Sequence, residues 1–395
     1  MFVILDFQFL KNHFTHQQLY IIVAVLSLFL PFYVCVGIIL LLTLWLMFKG
    51  EIQAAYHKHP VNKFLIFFSV LSMIVSLIYK NYLGMAIAFF ILVIGLFIFY
   101  YKEHITNELF EFITSIIILL SIFAAFYGFI EYLSILKANN IDQFKIIIFN
   151  KPKDRIHSVY FNANYYAMMI EFFICIALYK ILKLKDMKKD IKKFVYYIFV
   201  IGINLFMLVL TACRTAWPAL AAGILIMLIL DKQYKICAFI GSVVLLACLY
   251  FIINPEHFPR VHNIVSYFMK RTIIWDTAVK NIVKHPLFGQ GPLTYMNIYA
   301  LYNGHPTQHA HSVYLDPVLC FGFGGLAVIA PIFYTHFKQL LKLWKSKINK
   351  TLCALIVGYI VVVLIHGTMD YTIFFVQTGI LFLFIVASIG MHKDL

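Results

Sequence analysis

Charge is what this sequence has least of. Only 12% of its 395 residues are Asp, Glu, Lys or Arg, and only 17 are acidic, where soluble domains carry roughly a quarter charged residues. With 63% hydrophobic residues and a mean hydropathy of +0.89, a soluble fold of this length would have nowhere to hide its apolar surface. A bilayer removes the problem, because it asks for spans of about 20 apolar residues whose backbone hydrogen bonds close internally. CxxC pairs and metal-ligand spacings are also missing. The seven cysteines (35, 175, 213, 237, 248, 320 and 353) fall within or beside apolar stretches, so they read as small buried residues rather than a disulfide or zinc framework. No internal repeat, heptad, low-complexity tract or appended soluble domain is visible. The first twenty residues lack the layout of a cleavable signal, so the first apolar span is expected to stay as an anchor.

What is present is apolar run after apolar run. Spans are expected near 20–32, 33–48, 64–79, 83–100, 108–132, 158–182, 194–212, 215–230, 235–253, 312–337, 352–366 and 372–391, the first two meeting at Pro31. The expected class is an all-α integral membrane protein of about 12 transmembrane helices. Its expected organisation is nine spans over 1–253, a long, partly helical extracytoplasmic loop over 254–311 and three spans over 312–395. Its formal charge of +15 raises the possibility of nucleic acid as a partner. The placement of the lysines argues against it, since they gather in short loops, as on the cytoplasmic side of a membrane protein. Lys183, Lys185, Lys188, Lys189, Lys192 and Lys193 mark one such loop, and Lys338, Lys342, Lys345, Lys347 and Lys350 another. Counting spans keeps both inside. It leaves four segments outside: 133–157, the turn at Cys213–Arg214, 254–311, and His366–Tyr371.

That outer face departs from the rule governing the rest. Lys145, Lys151, Lys153 and Arg155 lie in one outer loop; Arg260, Lys270, Arg271, Lys280 and Lys284 lie in another; Arg214 closes a hairpin of spans. Scattered lysines there are explained by anionic headgroups. An arginine pinned between spans points to a phosphate-bearing ligand, because the guanidinium fork binds phosphate oxygens bidentately. Six histidines (257, 262, 285, 305, 309 and 311) crowd the long outer segment. With no carboxylate or cysteine nearby to complete a metal set, one histidine acting as general base is the better reading. A carrier lipid linked to a glycan through pyrophosphate fits both features. A transporter or flippase of lipid-linked sugar remains the alternative class, although it calls for charges deep in several spans, and here Glu171 is the main mid-span charge.

Four motifs then resemble one family. His311–Ser312, nine residues, and Gly322–Phe323–Gly324–Gly325 look like the H-[NSQ]-x9-G-x-x-G signature of O-antigen ligases. Arg271–Thr–Ile–Ile–Trp275, with Ala278, His285–Pro286, Gly289 and Gly291–Pro292, is similar to the arginine-led segment of that superfamily. Thr211–Ala–Cys213–Arg214–Thr–Ala–Trp217 resembles its other arginine motif, with Cys213 where serine is usual. Phe161–Asn–Ala–Asn164–Tyr–Tyr–Ala167 resembles its Asn-x-Asn-Tyr stretch. The resemblance implies a multi-span, GT-C-like, metal-independent inverting glycosyltransferase with no cofactor. It implies an undecaprenyl-diphosphate-linked glycan as donor and a lipid or glycan acceptor, at the outer face of a bacterial cytoplasmic membrane. A polymerase of the same superfamily is the close alternative to a ligase. By carry-over, Arg214 and Arg271 bind the diphosphate and His311 activates the acceptor hydroxyl. Arg155, Asn164, His309 and Asp370 join as substrate-binding residues from their location. Asn164 is also readable as a helix cap, His309 as a solvated side chain and Asp370 as a turn residue.

Overall fold

The computed structural model describes residues 10, 12–149, 151–184, 186, 189–255 and 264–393. His257, Arg260, His262, Lys185 and Lys188 lie outside the described residues, as do residues 1–9, ahead of the expected anchor. Every described element is helical or irregular, with no strand among them.

The chain runs α1 (His16–Ser27), α2 (Phe32–Phe48), α3 (Glu51–His57), α4 (Lys63–Ile78), α5 (Tyr82–His104) and α6 (Asn107–Ala138). It continues through α7 (Ala163–Leu182), α8 (Ile191–Thr211), α9 (Ala216–Leu230), α10 (Tyr234–Ile253) and α11 (Ile264–Lys284). After a short α12 (Thr294–Ile298) it closes with α13 (Leu315–Ser346), α14 (Lys350–His366) and α15 (Val376–Ala387). A helix stands at each expected span. Among the described residues, seven of these helices are long and apolar enough to cross a bilayer, or eight if α2 and α3, bent by 82°, form one broken span. Helices α1, α9, α14 and α15 are apolar but shorter, and the expected count of about twelve rests on including them. α1 and α2 are separate helices, with Pro31 as the N-cap of α2.

Helix α7 is the axis of the bundle, and almost all of its residues are buried. Its N-terminus is closed by Asn162, whose side chain accepts from the backbone N–H groups of Asn164 and Tyr165. Phe172 on α7 stacks on Tyr359 of α14 at 4.2 Å, and the Tyr359 hydroxyl donates to the Phe172 carbonyl at 3.0 Å. The adjacent Glu171 is wholly buried and pairs with His366 Nδ1 at 2.9 Å. A mid-span carboxylate requires such a partner, because removing one member of a buried pair costs on the order of 3–5 kcal/mol. Helix α10 is the opposite case: none of its residues is buried, and its apolar surface suits contact with lipid.

Backbone hydrogen bonds clamp the segment between α11 and α13 to the start of α13. Helix α13 is broken at Gly322, where φ is 64° and ψ 174°. At this kink Phe323 N–H donates to the Pro286 carbonyl (2.8 Å) and Gly324 N–H to the Leu287 carbonyl (2.7 Å). Gly291 N–H returns a bond to the Cys320 carbonyl at 2.8 Å. A Cβ on Gly322 would lie 2.4 Å from the Leu287 carbonyl, which is closer than any real contact. The spaced glycines after His311 therefore serve a backbone-to-backbone clamp, and the clamp sets where the chain enters α13. Asn81, at the start of α5, ties the same loop to the bundle by donating to the Pro292 carbonyl at 2.7 Å.

Gly322→Ala is expected to open this clamp. The backbone region it occupies is essentially confined to glycine, at a cost of order 1–3 kcal/mol for other residues, and the clash adds to that. Thermal unfolding in detergent and limited proteolysis within 285–293 measure the effect. Gly202→Ala, whose Cβ meets nothing within 4 Å, is the control expected to behave like the parent. Equal behaviour of the two variants would contradict the clamp.

Candidate functional site

The site is assembled where four connections meet at one end of the bundle: the segments before α7, between α8 and α9, before α13, and after α14. Each is anchored independently. Val313 N–H donates to the Gly367 carbonyl at 2.8 Å, joining the entry to α13 with the end of α14. Asp316, in the first turn of α13, accepts from Ala310 N–H at 2.6 Å and so folds the His309–His311 strip over the helix start. His311 is held at φ 48°.

At the centre, His311 Nδ1 lies 2.6 Å from Asp370 Oδ1, and Asp370 also accepts from Tyr371 N–H at 2.8 Å. With Asp370 charged, Nδ1 carries the proton and Nε2 is the free lone pair. Nε2 faces the Thr307 hydroxyl at 2.9 Å. The other Asp370 oxygen accepts from the Asn164 amide. Asn164 Oδ1 accepts from Arg155 Nη2 at 2.6 Å, and Arg155 Nε donates to the Thr211 carbonyl at 2.6 Å. A continuous chain thus runs Thr307, His311, Asp370, Asn164, Arg155, and ends two residues before Cys213. Because Asn162 is the helix cap, Asn164 is released from that duty and its side chain points to Asp370.

The two motif arginines lie on different elements, Arg214 in the turn between α8 and α9 and Arg271 on α11. The Arg214 guanidinium sits 5.4 Å from the centre of the Tyr267 ring, and Tyr267 is one turn before Arg271 on the same helical face. Burial pulls the Arg271 guanidinium down from its ordinary value, while the charge of Asp370 opposes the shift. Burial pushes the Asp370 carboxyl up, but the adjacent His311 ring, with His309 and Arg271, outweighs it and holds Asp370 well below the usual carboxylate range. His309 is buried, not solvated. Burial first, and then the His311 ring, pull it from 6.5 to about 4. Its Nδ1 accepts from His311 N–H at 3.3 Å, as a neutral imidazole requires.

The remaining expected residues divide. His305 faces Lys270 and Arg271, and burial, with those cations, lowers its pKa. His285 lies outside the cluster, with Nδ1 3.0 Å from the Tyr79 hydroxyl. Cys213, in the serine position of its motif, is buried with Sγ 3.4 Å from Thr215 Oγ1 and 3.8 Å from His366 Nε2. One expectation needs correction. From the sequence, no carboxylate is expected to complete a metal set with the histidines, yet the fold brings one from 59 residues downstream. His309, His311 and Asp370 each present a ligand atom, all within 4.8 Å of one another. Two of these donors already satisfy each other through the His311–Asp370 bond. Sequence reasoning missed Thr307 altogether, since a single threonine in a loop carries no signal. The pairing of His366 with Glu171 was open to inference, because a carboxylate in mid-span demands a partner.

A pH dependence follows from His309. Its folded pKa is about 4 against 6.5 when unfolded, so between those values the unfolded chain binds more protons and stability falls as pH falls. The full window is worth about 3 kcal/mol, at about 1.4 kcal/mol for each pKa unit. Thermal unfolding at pH 7 and pH 5 should show a smaller acid-induced loss for His309→Asn than for the parent. An unchanged loss would mean that His309 is not held neutral.

A family model described as O-antigen ligase matches residues 196–330. No curated protein matches the chain. The matched stretch includes Arg214, Arg271, His311 and the glycines of the α13 kink, while Asn164 and Asp370 fall outside it. That match spans 135 of the 395 residues, and over that stretch the chain is similar to the O-antigen ligases, which supports the O-antigen ligase/polymerase superfamily.

Proposed function

We propose that this chain is an O-antigen ligase-like glycosyltransferase. It moves a glycan from an undecaprenyl-diphosphate carrier to an acceptor hydroxyl at the outer face of the cytoplasmic membrane. The observation that carries the reading is the bond from His311 Nδ1 to Asp370 at 2.6 Å, with Nε2 directed at a hydroxyl 2.9 Å away and Arg271 adjacent. The likeness to the O-antigen ligases supports the reaction class, and in this reading the loop over 254–311, with the entry to α13, supplies the machinery.

In this mechanism the acceptor hydroxyl takes the place that Thr307 holds at rest. His311 Nε2 removes its proton as the acceptor oxygen attacks the anomeric carbon. The bond from that carbon to the carrier diphosphate breaks on the opposite face, so the configuration inverts. The electron pair leaves with the diphosphate, where Arg271 and Arg214 neutralise the developing charge. Asp370 keeps the imidazole in the required tautomer and stabilises the imidazolium that forms. Asn164 and Arg155 orient Asp370, and His309, being neutral, adds no competing charge. Arginines in place of a cation make the transfer independent of metal. A polymerase of the same superfamily would use the same steps with a carrier-linked acceptor. Glycan analysis of a deletion strain separates the two, since unattached long chains mean ligase and single repeat units mean polymerase.

Transfer of carrier-linked glycan in proteoliposomes tests the assignment. His311→Ala and Asp370→Asn are each expected to lower the rate by about 10² to 10⁴, the range for loss of a general base or its correct tautomer. Thr307→Val, which removes only the resting stand-in, should stay within about tenfold of the parent. Excess chelator should leave the parent rate unchanged. Full turnover by His311→Ala removes the base, and a chelator-sensitive rate points to the His309–His311–Asp370 set as a metal site.

A further inference from the structure

The opposite end of the bundle carries a second cluster of cations that the transfer reaction does not use. Helix α5 starts beside Pro292 at the site and ends at Lys102–Glu103–His104. Helix α13 leaves the site at Leu315 and reaches Gln339 roughly 35 Å further along its length, at 1.5 Å per residue. A cavity of about 200 Å³ opens between these helix ends and the turn that follows α15. Among the described residues Glu103 is its single lining carboxylate, and it accepts from both Lys58 and Lys393. The Lys102 ammonium donates to the neutral amide oxygen of Gln339 at 2.8 Å.

Three lysines against one carboxylate leave a formal +2 before the neighbouring His59 and His392 are counted. Lys102 is the member that matters, because its side chain is partly withdrawn from water and its direct acceptor is uncharged, with the Glu103 carboxylate acting on it only through space. Such an ammonium is costly without an opposing charge. The wall around it is also closely fitted. A Cβ on Gly390 would lie 2.3 Å from the Lys102 carbonyl, so the chain after α15 closes over this lysine only because a glycine stands there.

We propose that this cavity binds a phosphate group, and that the phosphate belongs to the headgroup of an anionic membrane lipid. Lysine is a point-charge binder of phosphate. The volume equals several water molecules at about 30 Å³ each, enough for a tetrahedral phosphate and its ester linkage. The cavity lies at the ends of membrane-spanning helices, where headgroups of an anionic leaflet concentrate. The inference is independent of the glycosyl-transfer reading.

The test uses the full chain in neutral detergent, followed by thermal unfolding with increasing phosphatidylglycerol, phosphatidylcholine or inorganic phosphate. Phosphatidylglycerol should raise the unfolding temperature saturably and phosphatidylcholine should not. Lys102→Gln should weaken the phosphatidylglycerol effect by about tenfold, the loss of one charge-assisted hydrogen bond. Lys393→Gln, on an exposed side chain, should weaken it too and serves if the first variant does not fold. A phosphatidylglycerol effect that persists undiminished in both variants overturns the site, as does equal stabilisation by phosphatidylcholine. Inorganic phosphate that alone reproduces the shift overturns the lipid as its source.

Discussion

One carboxylate organises the candidate site at its end of the bundle. Asp370 receives the His311 ring on one oxygen and the Asn164 amide on the other, with Tyr371 N–H closing the shell. Four connections from distant parts of the sequence converge because this group must be satisfied. A buried carboxylate with fewer donors would carry an uncompensated charge, so the network forms completely or not at all. Its electrostatic effect reaches further, since Asp370 offsets the desolvation of Arg271 and fixes which nitrogen of His311 is basic. The proposed catalysis needs both consequences at once: a positioned lone pair for the acceptor and a retained cation for the leaving diphosphate.

The scaffold beneath is rigid where the site needs rigidity. Helix α7 sits inside the bundle with Glu171 locked to His366, four residues before Asp370. His366 Nε2 reaches toward Cys213, beside Arg214. The buried pair thereby links the segment holding Asp370 to the turn holding the motif arginine. The Gly322 kink performs the corresponding task for the loop that carries His311, through backbone bonds that no side-chain exchange could replace.

Much of this was legible in the sequence, and for identifiable reasons. Apolar runs broken by lysines reported the helices at the expected spans, because burial in lipid imposes a length and a composition together, while the short α3 and α12 left no such signal. The arginines and His311 stood out as polar groups on the wrong side of an otherwise regular charge pattern. Asn164, His309 and Asp370 were visible as residues near that face, but their bonding was not. Asp370 lies 59 residues from His311, and Asn164 lies 206 residues from Asp370, so no local spacing records either contact. Thr307 left no trace, since its position depends on a loop conformation set by Asp316 and the α13 kink. The same distance in sequence hid the carboxylate that completes the His309–His311 donor set.

The most direct measurement is the protonation of the His311 ring itself. Nitrogen-15 spectra of histidine-labelled protein in lipid at neutral pH, with the signal assigned through His311→Gln, report each ring nitrogen separately. The account predicts a protonated Nδ1 and a bare Nε2 in the parent, with this preference lost in Asp370→Asn. A His311 that carries its proton on Nε2 while Asp370 is intact could not accept a proton from an acceptor hydroxyl, and would contradict the account.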